Sequence, residues 1–376
     1  MNRRSEKLAL LVGSNPLPNF LAAMALEPKE VVLLYTPETE KPKDYLSGVL
    51  SAKRIRVTPR CIQDATDARC IQDVCNGLDF DHLHYSGGTK PMAAHARMAF
   101  NRGEANVSYL DERRGLLRFE DGYDETLSNR DLSLTLEVLL ELHGVERLRD
   151  DRVLQQEPAD SDSEIIAKKV LRCDQKERRE LLCQLNRLEE KVAKAKQPPF
   201  DGSGLGLSQP SIPANDWTQR TYKHWRAFLR GGWLERWTAL VIDQCLPSAV
   251  HEISTNIRGK RDSVEFEVDA AVVHRNRLYV VSCTTEDQKK ELCKSKLFEV
   301  AMRSRQMGGD LARCALVCLL DGCDSRGPYV DQLRSDIQSL WDAPNVPRVF
   351  GLADLREWSG INGTSNLGTL TQWLLE

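Results

Sequence analysis

Short apolar runs alternate with helix-like segments through the first 120 residues, and this alternation constrains the fold more than any other feature of the chain. Between the runs, apolar residues recur three or four positions apart, as they do on one face of a helix. Strands that alternate with helices form mainly parallel sheets covered by helices on both faces. The sequence therefore predicts an α/β, doubly wound first domain. Its predicted strands are residues 8–12, 31–35, 55–58, 82–85 and 107–110, and residues 116–119 would add an edge strand.

The composition changes along the chain and suggests where the domains meet. The length of 376 residues predicts two domains or three, at roughly 100 to 200 residues per domain. All seven Trp residues lie after residue 216, which predicts two separate cores. Residues 164–196 are predicted to form a charge-rich helix, and the Gly- and Ser-rich residues 201–210 a flexible linker. We expect a first domain over 1–145, a helical connector and linker over 146–215, and a second domain over 216–376.

The charge balance and hydropathy exclude several classes of protein. Lys+Arg 52 against Asp+Glu 55 gives a net charge of -3, without the basic excess of a nonspecific nucleic-acid coat protein. A hydrophobic content of 41% with 28% charged residues argues against a disordered chain. No apolar run reaches the roughly 18 residues of a transmembrane helix, and the first residues do not predict a signal peptide. We therefore expect a cytoplasmic protein that does not bind membranes.

The eleven cysteines are predicted to be reduced thiols, because their number is odd and no export signal accompanies them. Cys314 and Cys318 have the spacing of one helical face, yet no second close pair or nearby His completes a four-ligand set. A structural zinc site is therefore not expected.

Glycine-rich loops follow two of the predicted strands. Residues 86–91 are Ser-Gly-Gly-Thr-Lys-Pro at the start of a predicted helix, where free amides and Lys90 favour an anion. The loop lacks Walker A spacing, and a tight strand-to-helix turn would have a similar sequence. Gly13, Ser14 and Asn15 follow the first strand, and Thr36 follows the second. If the first and fourth strands are neighbours, their two loops face one crevice.

These loops resemble a known family. Leu-Leu-Val-Gly-Ser-Asn-Pro, Leu-Leu-Tyr-Thr-Pro and His-Tyr-Ser-Gly-Gly-Thr-Lys-Pro-Met together resemble CARF domains of type III CRISPR ancillary proteins, over about residues 8–145. The resemblance implies a Rossmann-like domain in a homodimer that binds cyclic oligoadenylate, with cyclic tetra-adenylate as the expected activator. The residues that it implies at the ligand are Gly13, Ser14, Asn15, Thr36, Gly87, Gly88, Thr89 and Lys90.

Acidic residues stand out in the second domain. Residues 217–246 are predicted to be helical with an interruption at Gly231 and Gly232, and Glu235 falls among apolar positions there. Strands are predicted at 251–257, 265–273 and 278–285, followed by a helix at 288–307. Glu267 and Asp269 are two residues apart, so on a strand they share one face, where they would repel unless solvated or bridged by a cation.

This order of elements resembles the PD-(D/E)xK nuclease core, a restriction-endonuclease-like α/β fold, over about residues 217–320. The matching segments are Gly-Trp-Leu-Glu ending at Glu235, Phe-Glu-Val-Asp ending at Asp269, and Lys-Leu-Phe-Glu-Val beginning at Lys296. A CARF domain followed by this core is the architecture of the CRISPR ancillary nucleases that cyclic oligoadenylate activates. The resemblance implies that Glu235 and Asp269 hold a divalent metal, Mn²⁺ or Mg²⁺, with Glu267 in the catalytic set.

The chain departs from that pattern at one strand. Where the family has a carboxylate, a spacer and Lys, this sequence has Ser282, Cys283 and Thr284. The loss removes a charge that would assist water activation and phosphate neutralisation. A Lys of the next helix is one replacement: Lys296 aligns with Cys293, Val300 and Ser304 at helical spacing, and Lys294 is a second candidate. Lys289 and Lys290 are nearer the strand, and an ordinary solvated helix face would explain all four.

The leading hypothesis is a metal-dependent nuclease for DNA or RNA, switched on by cyclic oligoadenylate in type III CRISPR antiviral defence. An alternative is a catalytically impaired sensor whose nuclease-like domain acts as a binding or dimerisation module. A third is that the first domain hydrolyses its own ligand with help from Thr89 and Lys90. Arg220 and His224 have too few residues between them for a HEPN ribonuclease, and no helix-turn-helix pattern is present.

Overall fold

A computed structural model describes residues 3–128, 130–148, 156–191, 198–246, 251–341 and 345–375. In the first of these segments, seven strands form one sheet in the order β3-β2-β1-β4-β5-β6-β7. All neighbours from β3 to β5 are parallel, whereas β6 and β7 are antiparallel to the strands beside them. The elements are β1 (Lys7–Leu11), α1 (Leu17–Leu26), β2 (Glu30–Tyr35), α2 (Glu40–Ala52), β3 (Arg56–Cys61), α3 (Ala68–Asn76), β4 (His82–His84), α4 (Lys90–Ala99), β5 (Val107–Asp111), β6 (Leu116–Phe119) and β7 (Asp124–Thr126).

The strand order places the two glycine-rich loops side by side. β1 pairs with β4 in parallel register, with Leu8 opposite His82 and Leu10 opposite His84. The sheet is therefore doubly wound, and its order reverses between β1 and β4. The carboxyl ends of these two strands open onto one crevice, as ligand sites do at a topological switch point. The predicted α/β fold of the first domain is confirmed, and the β1–β4 pairing meets the condition that the sequence left open.

A second sheet contains six strands of the described residues, in the order β17-β14-β13-β12-β11-β8. β13, β14 and β17 are parallel, and the remaining pairs are antiparallel. The elements before and within this sheet are α5 (Leu136–Leu142), β8 (Glu146–Leu148), α6 (Asp160–Arg172), α7 (Gln175–Asn186), β9 (Phe200–Asp201), β10 (Ser211–Ile212), α8 (Gln219–Ala227), α9 (Trp233–Cys245), β11 (His251–Arg261), β12 (Val264–His274) and β13 (Arg277–Thr284). Those that follow are α10 (Lys290–Gly308), β14 (Arg313–Cys318), β15 (Cys323–Asp324), β16 (Gly327–Pro328), α11 (Tyr329–Leu340), β17 (Arg348–Phe350), α12 (Leu352–Ser359) and α13 (Gly368–Leu375).

The segment before the second domain differs from its prediction. The prediction of one continuous helix over 164–196 is wrong. The helix α6 ends at Arg172, and α7 starts after a capping box between Asp174 and Glu177. Residues 192–196 of the predicted helix lie outside the described residues. The flexible linker at 201–210 is also wrong, since β9 pairs with β10. Asp162 accepts hydrogen bonds from the Ser208 amide and hydroxyl at 2.7 and 2.6 Å, and fixes this loop on α6.

The two separate cores that the Trp distribution predicts are not found. One apolar cluster runs from the first domain through α5 into β12, β13 and α10 of the second, with Leu139, Ile257 and Leu297 among its buried members. The other face of the second sheet packs on α6 to α9, and six Trp side chains are buried there. The domain boundaries proposed from the sequence stay a prediction, but the contact between the domains is apolar and continuous.

Two smaller expectations concern cysteine and membranes. Cys314 and Cys318 do not share a helical face, because both lie on strand β14. All eleven cysteines are free thiols, as the sequence predicts. Among the described helices, none combines the length and the hydrophobicity that crossing a bilayer requires.

Candidate nuclease site and ligand crevice

The loop after β1 packs backbone to backbone on the loop after β4. A side-chain carbon at Gly87 would overlap the carbonyl oxygen of Leu11, and one at Gly13 would lie 2.9 Å from the amide nitrogen of Gly88. Gly88 has φ +74°, a left-handed conformation that favours glycine. The structure therefore brings the two predicted ligand segments together, and it needs their glycines for close packing as well as for access to a ligand.

Thr89 and Lys90 occupy the start of α4. The Thr89 hydroxyl accepts a hydrogen bond from the Met92 amide at 3.3 Å, so Thr89 is the N-cap of the helix. Lys90 is exposed, and its ammonium has no hydrogen-bond or ion-pair partner in the described part of the chain. A cation at a helix N-terminus beside the crevice suits an anionic ligand. Thr36, by contrast, is buried and bonds to Thr39 in its own turn.

The loop after β1 also faces the second domain. A cavity of about 430 Å³ is lined by Ser14 and Glu38 of the first domain and by Arg261 at the tip of the β11–β12 hairpin. Lys41 on α2 forms an ion pair at 3.4 Å with Asp262 of that hairpin. The predicted ligand edge is therefore next to a hairpin whose second strand, β12, carries Glu267 and Asp269.

Asp269 is held from the neighbouring strand β13. Its Oδ2 accepts hydrogen bonds from the Cys283 amide at 2.5 Å and from the Ser282 hydroxyl at 3.0 Å. Burial raises the pKa of Asp269, and these two donors and the positive charge of Lys296 oppose the rise. Ser282 thus positions the carboxylate of Asp269.

Glu235 lies in the first turn of α9. The helix is entered through a π-helical segment at Phe228–Gly232, where Gly231 has φ +154°, and this kink sets the direction of the turn that carries Glu235. The pKa of Glu235 is raised to about 8, first by burial and then by the charges of Asp269 and Glu267, while the charge of Lys296 opposes the rise. Glu235, Glu267, Asp269 and Lys296 are therefore close enough to act on one another, as the sequence predicts.

The lysines of α10 divide between two environments. Lys296 lines a cleft of about 530 Å³ together with Thr284 of β13. The ammonium of Lys294 instead pairs with Asp336 of α11 at 3.0 Å, and that of Lys290 bonds to Gln332 at 2.9 Å. The structure thus brings Lys296 to the acidic cluster, which consists of Glu235, Glu267 and Asp269. It leaves Lys294, a predicted catalytic residue, on another face of the helix.

Sequence analysis missed the wall of this cleft that α7 supplies. Arg179 and Asn186 of α7 line it opposite α10, and the Arg179 guanidinium pairs with Asp287 at 3.4 Å. The neighbouring Arg178 is fully buried and bonds to Asp321. The sequence predicts a helix over this segment, but nothing in the sequence connects that helix to the site.

The donor set fits a divalent cation. Carboxylates are the preferred protein ligands of Mg²⁺ and suit Mn²⁺, and two of them, Glu235 and Asp269, are half-buried and close enough for their charges to interact. A cation would offset the repulsion that raises the pKa of Glu235. The described residues contain no group of three acidic, His or Cys side chains around one point. The remaining ligands would then be water and substrate oxygens, which Mg²⁺ commonly retains.

The raised pKa of Glu235 has a measurable consequence. Since folding raises this pKa from 4.5 to about 8, the folded protein binds the proton more tightly, and that stabilisation is lost as pH rises through about 8. Without metal, Glu235→Gln should therefore raise the Tm relative to the unsubstituted protein by more at pH 9 than at pH 6. Differential scanning calorimetry with Glu104→Gln, an exposed site, as control measures this. An equal difference at both pH values would contradict the buried, protonated state.

Comparisons with known proteins agree with this arrangement. Residues 222–324 match the family model of the Card1-like endonuclease domain. No curated protein sequence matches the chain. The match over 222–324 contains Glu235, Glu267, Asp269 and Lys296, and it confirms a nuclease-like second domain.

Three solved structures are similar to the whole fold. Protein VC1899 from Vibrio cholerae has a TM-score of 0.71 and 15% identity over 98% of both chains. Can2 from Sulfobacillus thermosulfidooxidans, determined in complex with cyclic tetra-adenylate, has a TM-score of 0.68 and 19% identity over 98% of both chains. A type III CRISPR defence DNA nuclease activated by cyclic oligoadenylate has a TM-score of 0.56 and 20% identity over 91% of this chain and 53% of its own. The predicted CARF-nuclease architecture is thus confirmed at the level of fold.

Proposed function

We propose that this protein is a metal-dependent nuclease of type III CRISPR defence that cyclic oligoadenylate activates. One observation carries the proposal: α9, β12 and α10 bring Glu235, Asp269 and Lys296 close enough for their charges to act on one another, within the segment that matches the Card1-like endonuclease domain. The fold shared with cyclic tetra-adenylate-bound Can2 supports the activator. The substrate class is a phosphodiester of DNA or RNA.

Glu235 and Asp269 are the residues that would hold Mn²⁺ or Mg²⁺. When bound, such an ion lowers the pKa of a water and offsets the charge on the scissile phosphate. Asp269 is kept in place for this role by the Cys283 amide and the Ser282 hydroxyl. Glu235 must lose its proton, because only the carboxylate is a good ligand. Since its pKa without metal is about 8, metal affinity rises with pH up to that value.

Lys296 supplies the positive charge that the missing lysine of strand β13 would supply. Its ammonium reaches the acidic cluster from α10, while Thr284 on β13 lines the same cleft without a charge. A positive charge at this place orients the attacking water and stabilises charge that develops on the phosphate. Arg179, on the opposite wall of the cleft, is placed to contact a substrate phosphate.

The ligand would bind at the crevice between the loops after β1 and β4. A cyclic oligoadenylate carries one phosphate per nucleotide, and the exposed Lys90 at the start of α4 offers positive charge to one of them. A homodimer would place two such crevices across a two-fold axis, which suits a ring with repeated nucleotides. Gly13, Ser14, Gly87, Gly88 and Thr89 complete the proposed contact surface.

Ser282 and Thr284 favour one alternative, a sensor that binds cyclic oligoadenylate but does not cleave. Neither side chain supplies the charge found at these positions in the family, and the Ser282 hydroxyl is already used by Asp269. In this alternative the nuclease-like domain would act by contact, as a binding or dimerisation module.

A cleavage assay separates the two functions. Supercoiled plasmid, labelled single-stranded DNA and labelled RNA are incubated with the purified protein, Mn²⁺ or Mg²⁺, and cyclic tetra-adenylate or none. We expect cleavage of at least one substrate that requires both ligand and metal and stops on addition of EDTA. Binding of the ligand by calorimetry without any cleavage would instead support the sensor.

A further inference from the structure

The loop after β1 contacts the end of α10 as well as the crevice. Gly309 follows α10 with φ +65° and ψ -156°, a conformation that is essentially restricted to glycine. A side-chain carbon at Gly309 would lie 2.5 Å from Oδ1 of Asn15 and 2.7 Å from its Nδ2. The first domain therefore rests directly on the terminal turn of the helix that carries Lys296.

Only one of the two polar atoms of the Asn15 side-chain amide forms a hydrogen bond in the described part of the chain. Its Oδ1 accepts a hydrogen bond from the Leu17 amide at 3.2 Å, which caps the loop. Its Nδ2 is buried and has no hydrogen-bond partner in the described part of the chain. A buried donor without an acceptor is unfavourable, and a shift of the Gly309 turn that brings a carbonyl oxygen to Nδ2 would remove that penalty. The contact thus favours a second arrangement of the turn.

A second loop of the first domain holds the same turn from another side. Asp310 follows Gly309 and shares a cavity of about 300 Å³ with Glu112, which lies between β5 and β6. Burial and the charge of Asp310 raise the pKa of Glu112. The carbonyl oxygen of Glu112 accepts a hydrogen bond at 3.0 Å from Arg277, the first residue of β13. Two elements of the second domain lie next to the acidic cluster, and each has one end on a loop of the first domain. The end of α10 contacts the loop after β1, and the start of β13 contacts the loop between β5 and β6.

The two residues before Asn15 lie at the crevice. Ser14 lines the cavity that reaches Arg261, and Gly13 packs on the amide of Gly88. Gly13 and Ser14 therefore lie at the crevice, and Asn15 is the residue that follows Ser14. From Gly309 to Lys296, α10 spans about 20 Å as a rigid helix.

We propose that Asn15 is a positioning residue, which transmits occupancy of the crevice to the Gly309 turn and through α10 to Lys296. The inference rests on the proposed function and adds to it the route of activation. It also changes the role of Asn15, from a ligand contact implied by resemblance to a contact between the domains. A ligand shifts such an equilibrium only by its different affinity for the two arrangements, so loss of the contact must separate binding from activation.

The test is Asn15→Ser, measured for ligand binding and for cleavage. The Ser hydroxyl can still accept from the Leu17 amide, but the shorter side chain leaves Gly309. We expect at least a tenfold loss of the stimulation by saturating cyclic tetra-adenylate, with a Kd equal to or tighter than that of the unsubstituted protein. Binding should not weaken, because the ligand no longer has to move α10.

Ser14→Ala, on the neighbouring residue, is the matched comparison. It should weaken ligand binding and leave the rate at saturating ligand close to that of the unsubstituted protein. If Asn15→Ser behaves in this way too, Asn15 contacts the ligand and the inference is wrong. Unchanged binding with unchanged stimulation would overturn it equally.

Hydrogen exchange of residues 308–312 tests the route without any cleavage. Cyclic tetra-adenylate should change the exchange of these amides in the unsubstituted protein and not in Asn15→Ser. If the unsubstituted protein binds the ligand but does not cleave, the proposed nuclease function fails while this readout still decides the route. If cyclic tetra-adenylate activates cleavage but does not change the hydrogen exchange of residues 308–312, the route is wrong and the proposed nuclease function is still supported.

Discussion

Asp269→Asn is expected to reduce ligand-stimulated, metal-dependent cleavage by at least about a thousandfold. The substitution removes one of the two buried carboxylates and keeps an oxygen that the Cys283 amide and the Ser282 hydroxyl can bond. The fold is therefore maintained while the charge is lost. A metal site that loses a ligand forfeits several kcal/mol of transition-state stabilisation, and about 4 kcal/mol corresponds to about a thousandfold in rate.

Initial rates on the preferred substrate, at saturating cyclic tetra-adenylate, measure this effect. Glu265→Gln is the matched control, because Glu265 lies on the same strand and is exposed, and its change should stay within about threefold. Ligand affinity and Tm of Asp269→Asn should remain near those of the unsubstituted protein. Cleavage that persists in Asp269→Asn would show that the acidic cluster is not the site of hydrolysis.

Patterns that are local in the sequence predicted the fold well. The strands of the first domain were recognisable because each buried run is bounded by a loop and a helix, and β1 to β5 all appear near their predicted positions. The β1–β4 adjacency was a condition that the sequence left open, because the order of strands in a sheet is not written in the strands themselves; the structure meets it. Glu235, Glu267 and Asp269 also came together, as the resemblance to the nuclease core implied. Strand spacing had placed only Glu267 and Asp269 on one face.

The failures concern contacts between segments that are far apart in the chain. A Gly- and Ser-rich segment appeared to be a flexible linker, yet Asp162 on α6 and the buried Phe200 and Ile212 hold it in place. Likewise, Arg179 reaches the cleft only because α7 packs against the second domain. The local sequence carries no information on such a pairing, because the partner lies many residues away.

Lys296 illustrates both the strength and the limit of the sequence evidence. Helical spacing with Cys293 and Val300 favoured it over Lys294, and the structure separates the two, since Lys294 pairs with Asp336. Periodicity alone could not distinguish a lysine at the cleft from one in solvent, because Lys296 is itself exposed at the edge of the buried face. The position of α10 relative to β13 places Lys296 at the cleft, and the sequence does not specify that position.

Lys296→Met is expected to lower ligand-stimulated cleavage by about a hundredfold, which is the usual loss when one preorganised charge or donor is removed at a developing negative charge. Met keeps most of the aliphatic length, so packing on α10 changes little. Lys294→Met removes the same charge two residues away and should stay within about threefold. Equal losses in both variants would assign the effect to the general charge of the helix, and the proposed role of Lys296 would then be wrong.

A rescue experiment tests whether Lys296 replaces the strand lysine. Thr284 lines the same cleft as Lys296 and lies where the family has Lys. Adding Thr284→Lys to Lys296→Met returns an ammonium to the cleft from β13 instead of α10, and we expect at least a tenfold recovery of the rate. The same Thr284→Lys change combined with Asp269→Asn should recover nothing, because the charge assists a reaction that the acidic pair must first support. Recovery in the Lys296 background alone would establish that the position of the charge, and not the element that carries it, is what the chemistry requires.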